Sequence, residues 1–207
     1  RDCRATLLKY AAAALSAVRP QGVRPRVSGH DVAMEPDRTA LIVPIPEAEP
    51  MVGAHRDRLD RSAGWGVPAH ITVLVPFLPP AEIGEPVYAA LTRIATGTPA
   101  FFLRLDRIAW FGDRVVWLAP DTAEPFPALT GAVSARWPSA QPYAGAFDEV
   151  VPHLTIGHDH PVADLRAAAD DVSRHLPIRA RAGAIRLIAG RSEPGARWSV
   201  LAEFPLG

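Results

Sequence analysis

Two short stretches decide the reading: His70-Ile71-Thr72-Val73-Leu74-Val75 and His153-Leu154-Thr155-Ile156-Gly157. Each is apolar, β-branched and bounded by prolines or glycine, so each reads as a strand. Side chains on a strand alternate between faces. His70 and Thr72 therefore share one face, with Ile71 and Val73 on the other, and His153 and Thr155 behave likewise. Each strand offers an imidazole and a hydroxyl side by side, anchored by apolar neighbours. With 7 His and 9 Thr in 207 residues, about 0.3 copies of H-x-T are expected by chance. Either copy alone reads as an ordinary core or edge histidine. Two copies, each led in by proline (Pro68, Pro152), read as a functional pair.

The same pattern surrounds each copy. Before and after the first lie Thr39–Pro46 (strand), Glu47–Arg61 (helix), Glu82–Ala95 (helix) and Phe101–Phe111 (strand). Met51, Val52, His55 and Leu59 form the apolar face of the first helix, with charges between them. Gly112-Asp113 marks a hairpin turn. The second copy lies among Arg114–Ala119 (strand), Pro125–Trp137 (helix), a Pro/Gly/aromatic loop over 138–149, Val162–His175 (helix) and Arg179–Ala189 (strand). Arg197–Phe204 is the last strand. The repeat predicts an α+β fold of two related lobes with mostly antiparallel sheets and flanking helices.

Residues 37–207 are expected to form this domain, with 1–36 as an extension and linker. Leu7–Val18 is Ala-rich and Pro20–Asp37 is rich in Pro, Gly and Arg, and Met34 stands just before the first strand. The weak apolar run, with Lys9 and Tyr10 near its start, reads as an extension rather than a signal sequence. Lys+Arg and Asp+Glu are both 22. A protein that tracks long nucleic acid carries a basic excess, so a small nucleotide or the end of an RNA strand is the expected partner. Cys3 is the one cysteine, which excludes an internal disulfide and a cysteine-based zinc site. No apolar run is long enough for a membrane helix. A cytoplasmic monomer with no obligatory protein partner is expected.

The doubled H-x-T suits phosphoester chemistry. Cleavage without a metal needs one group to take a proton from the nucleophile and another to give one to the leaving oxygen. Histidine, with an ordinary pKa of about 6.5, can supply both states near neutrality. Thr72 and Thr155 can donate to the non-bridging oxygens, where charge accumulates.

The stretches Gly66–Phe77 and Tyr143–Gly157 resemble the two-histidine phosphoesterases, which include bacterial 2′-5′ RNA ligase-like proteins and RNA 2′,3′-cyclic phosphodiesterases. The resemblance covers residues 37–207. It implies a bilobal fold around a central cleft, with His70 and His153 catalytic and Thr72 and Thr155 binding the substrate phosphate. It implies no metal and no organic cofactor. The expected activity is hydrolysis of a 2′,3′-cyclic phosphate or a 2′-5′ phosphodiester. The alternatives are 2′-5′ RNA ligation, close to the chemical reverse, and a non-catalytic nucleotide- or RNA-binding module.

Other residues read as structural. Strand alternation carried forward puts His158 on the face opposite His153, and Asp159 falls near a turn or helix cap, so His158-Asp159-His160 does not read as a metal site. Phe77, Tyr143, Phe147 and Trp65 lie close to the motifs and could stack on a base, though core packing is the commoner fate. Arg191 reads as a solvated loop residue, and His30, His55 and His175 as structural or exposed.

Overall fold

The computed structural model describes residues 35–145, 150–191, 193 and 195–207. Among these residues, eight strands form two four-stranded sheets. They are β1 (Arg38–Pro44), β2 (His70–Leu74), β3 (Phe101–Phe111), β4 (Val115–Pro120), β5 (Leu154–His158), β6 (Ile178–Ala182), β7 (Ala184–Gly190) and β8 (Ser199–Pro205). One sheet runs β2-β1-β7-β8 and the other β5-β4-β3-β6. All six strand pairings are antiparallel. The expected α+β architecture of two related lobes is what the chain adopts. Each H-x-T strand is the edge strand of its sheet, beside the strand that precedes it in sequence.

The helices are α1 (Glu49–Leu59), the single turn α2 (Arg61–Gly64), α3 (Glu85–Thr96), α4 (Pro125–Arg136) and α5 (Val162–Ser173). α3 buries Val87, Ala90, Leu91 and Ala95, and α5 buries Leu165, Ala168, Ala169 and Val172. Both show the three- and four-residue spacing of an amphipathic helix. Thr130 of α4 donates its hydroxyl to the Val73 carbonyl at 2.7 Å, which pins α4 against β2. Every residue of β4 is buried, as befits an inner strand covered on both faces.

Two expectations need correction. Arg179–Ala189 is not one strand. Gly183 divides it, and β6 and β7 belong to different sheets. Here Leu206 donates its N–H to the Gly183 carbonyl at 2.9 Å, so the backbone bond is taken by the C-terminal segment where the chain crosses between lobes. On α1 the buried face is Val52, Arg56 and Leu59. Met51 and His55 are half-buried. A charged residue, 2% exposed, occupies the position that apolar patterning would leave to solvent.

Gly157 on β5 packs against both α1 and α5. A Cβ there would lie 2.8 Å from both Leu165 Cδ2 and Leu59 Cβ. Gly157→Ala is expected to destabilise the protein by about 1–3 kcal/mol, the usual cost of overpacking a closed core. Urea unfolding should show a lower midpoint with an unchanged m-value.

Candidate active site

His70, Thr72, His153 and Thr155 come together. They line one cavity of about 90 Å³ with Asp60, Ser62, Tyr143 and His158. β2 supplies the first pair, while Thr155 lies on β5 and His153 directly precedes that strand, so the two edge strands close the cavity from opposite lobes.

The two imidazoles are held in the same way. His70 Nδ1 lies 2.7 Å from the Pro68 carbonyl and His153 Nδ1 lies 2.8 Å from the Val151 carbonyl. A carbonyl only accepts, so each Nδ1 carries the proton and donates. Each Nε2 is thereby left as the unprotonated nitrogen of the neutral ring. In both cases the carbonyl belongs to the residue two positions earlier, so the repeat extends to the detail of tautomer selection. His153 is further braced by aromatic edges. Phe111 lies 5.2 Å and Trp117 5.8 Å from its ring, centroid to centroid.

Both imidazoles are poor bases in this setting. Burial, assisted by the Arg56 guanidinium and the charge of His153, pushes His70 down to about 4, against the opposing pull of the Pro68 carbonyl and Asp60. Burial likewise lowers His153, with His158 acting in the same sense. Desolvation dominates in each case. Tyr143, whose N–H donates to the Val75 carbonyl at 2.8 Å, has its phenol pushed up to about 12 by burial. It stays protonated across the working pH range.

Beneath the cavity lies a polar network that the helical pattern did not disclose. Arg56 donates from Nε and Nη2 to Asp60 Oδ2 at 3.2 and 3.0 Å. Its Nη2 also donates to Ser62 Oγ at 3.1 Å and to the Val67 carbonyl at 3.2 Å. Asp60 in turn accepts from the Ser62 N–H at 3.0 Å and hydroxyl at 2.8 Å, capping α2. Glu49 accepts from the Ala69 N–H, directly before His70. The signal available in sequence was the Arg56–Asp60 spacing of four, which places opposite charges on one helix face.

His158 is a further correction. It lines the same cavity as the H-x-T residues. Strand alternation fails because of a bulge: Thr155 pairs with Trp117, Gly157 with Val116, and His158 with Val115. Two residues of β5 thus pass one of β4, which returns His158 to the face of Thr155. His158 Nε2 sits 3.1 Å from Asp159, and Asp159 accepts from Arg114 Nε at 2.7 Å. Asp159 has a positive φ of 57° and turns the chain rather than capping α5, whose cap is Pro161. Among the described residues no group of three or more His, Cys, Asp or Glu is placed to hold a metal ion.

The remaining candidates divide. Phe77 is buried edge-on against Trp137, 5.1 Å away, and belongs to the core. Trp65 is buried and stacks on Trp198 at 6.3 Å. Arg191 pairs with Glu193 at 2.8 Å and donates to the Glu35 carbonyl. His55 joins Asp171 at 2.9 Å, tying α1 to α5, and His175 is exposed. Phe147, His30, Cys3 and Met34 lie outside the described residues. No helix among the described residues is long and apolar enough to cross a membrane.

Comparison with known proteins agrees with the fold. A family model described as the 2′-5′ RNA ligase superfamily matches residues 43–193. No curated protein matches the sequence. Among solved structures, E. coli LigT complexed with NADP+ is similar at 21% identity and a TM-score of 0.52, over 84% of this chain and 99% of that one. LigT complexed with 3′-AMP gives 20% identity and 0.51, over 83% and 99%. TT0787 of Thermus thermophilus gives 20% identity and 0.56, over 82% and 97%.

Proposed function

Because the chain belongs to the 2′-5′ RNA ligase superfamily, we propose that it is a phosphoesterase that hydrolyses RNA-type 2′,3′-cyclic phosphates or 2′-5′ phosphodiesters without a metal. The observation that carries this reading is the matched pair of imidazoles, each with Nδ1 committed to a backbone carbonyl and Nε2 left free at one shared cavity. The solved relatives with NADP+ and 3′-AMP bound add that this fold accommodates nucleotides.

The reaction is an in-line displacement. One neutral imidazole takes a proton from water through Nε2 as the water oxygen bonds to phosphorus. The other, protonated, gives its Nε2 proton to the departing ribose oxygen as that P–O bond breaks. Thr72 and Thr155 donate their hydroxyls to the non-bridging oxygens. Fixed donors cost no reorganisation when the charge develops.

The depressed imidazoles fix the pH dependence. The general acid must be protonated, and in the free protein both His70 and His153 lose their protons below the ordinary value. kcat/KM reports the free protein, so it should be bell-shaped with its maximum below about pH 6.5. It should fall as pH rises through the upper macroscopic pKa, a property of the pair. A bound phosphate anion favours the charged imidazole, so the kcat profile should lie at higher pH than that of kcat/KM. A kcat/KM maximum above about pH 7.5 would contradict the electrostatic picture. The activity itself is tested with the four nucleoside 2′,3′-cyclic phosphates and a cyclic-phosphate-ended oligonucleotide, in EDTA. Turnover is expected to survive chelation. An activity that dies in EDTA and returns with zinc or manganese would overturn the metal-free reading.

A further inference from the structure

A second cavity opens beside the reaction cavity. It is the larger, about 470 Å³, against about 90 Å³. Asp60 and His158 line both, so the two adjoin. The end of α1, the α2 turn and the β5–α5 connection form its walls.

Its charge is arranged for an anion. Arg61 makes no ion pair among the described residues, and Arg58 donates only to the Ala54 carbonyl at 3.2 Å and to His55 Nδ1 at 3.1 Å. Both are exposed, as is His160 beside them. Two of the three carboxylates in the walls are already matched. Asp60 is bound by Arg56, and Asp159 by Arg114 and His158. Only Asp57 is left to offset two guanidinium groups. In a protein of zero formal net charge, this cavity thus keeps a net positive charge.

Resting on the function proposed above, we propose that this second cavity binds a further phosphate of the substrate, through Arg58 and Arg61. In a chain that ends in a 2′,3′-cyclic phosphate, the next phosphate hangs on the 5′ oxygen of the same nucleoside. The preferred substrate is therefore a nucleoside cyclic phosphate that also carries a 5′-phosphoryl group. An RNA end supplies it as a phosphodiester and a 5′-phosphorylated nucleotide as a monoester. Guanidinium groups recognise either through charge-assisted hydrogen bonds. Contact with a single extra phosphate fits the zero net charge, which gives no basic track for a longer strand.

The test compares three cyclic phosphates of one base: the 5′-hydroxyl mononucleotide, its 5′-phosphorylated form, and a dinucleotide. Both 5′-substituted compounds are expected to exceed the 5′-hydroxyl form by about tenfold in kcat/KM, the scale of one charge-assisted contact. Raising salt should erode that advantage, because screening weakens attraction between exposed charges. Arg58→Ala/Arg61→Ala should remove the advantage, lowering the 5′-substituted substrates about tenfold more than the 5′-hydroxyl one. A gain for the dinucleotide alone would assign the cavity to the nucleoside instead, against the proposal. Equal rates for all three in the unmodified protein, or an equal loss on all three in the double variant, would also overturn it. Equilibrium binding of the corresponding 2′-phosphate products reads the same preference without turnover. The cavity can therefore be judged even if no cyclic phosphate is hydrolysed, an outcome that would count against the proposed function itself.

Discussion

His70→Ala and His153→Ala are each expected to lower kcat/KM by about 10²-fold or more, the usual scale for loss of a general acid or base. Each removes the one ring nitrogen that the backbone leaves free on its side of the cavity. Removing both should cost far less than the product of the two losses, because groups that act on one transition state are not additive. Thr72→Ala and Thr155→Ala should cost less, about 10- to 10²-fold, since a neutral donor stabilises charge without moving a proton. The four side chains are half-buried and face the cavity, so all these variants should unfold near the unmodified midpoint. A double variant whose loss equals the product of the single losses would mean that the histidines act independently.

The largest effect on stability is expected at Arg56. Its guanidinium is 2% exposed and Asp60 is 6% exposed. Arg56→Ala leaves the Asp60 carboxylate buried with only Ser62 to donate to it. Breaking one side of a buried pair costs about 3–5 kcal/mol, mostly the penalty of the charge left behind. Replacing both partners with apolar residues should cost less than Arg56→Ala alone, which a double-mutant cycle in urea would read. The same substitution removes a positive charge that holds His70 down. The kcat/KM maximum of Arg56→Ala should therefore move to higher pH. A loss of under about 1 kcal/mol would mean that the network contributes little to folding.

The sequence revealed most where local pattern and tertiary role agree. β3 is found over Phe101–Phe111 as its alternation predicts, and both H-x-T strands fall where expected, within a residue or two. These segments carry their own period and their own breakers. What was not legible depends on residues distant in the chain. The β6–β7 division follows from which sheet each half joins, and a single glycine inside an apolar run does not announce it. His158 turns back to the cavity because of a bulge against β4, whereas strand period assumes an unbroken ladder. Arg56 is buried because Asp60, Ser62 and the Val67 carbonyl meet its donors, and hydrophobic patterning assigns every arginine to water. Phe77 and Trp65 went to the packing that most aromatics find.

The central claim is that His70 and His153 act together on one phosphate. A phosphorus NMR time course of a nucleoside 2′,3′-cyclic phosphate in EDTA tests it most directly, run with the unmodified protein and with His153→Ala of verified fold. The two-histidine account predicts that the cyclic resonance gives way to a phosphomonoester with the unmodified protein, and about 10²-fold or more slowly with His153→Ala. Ring opening at the same rate in both, or none with the folded unmodified protein, would contradict it.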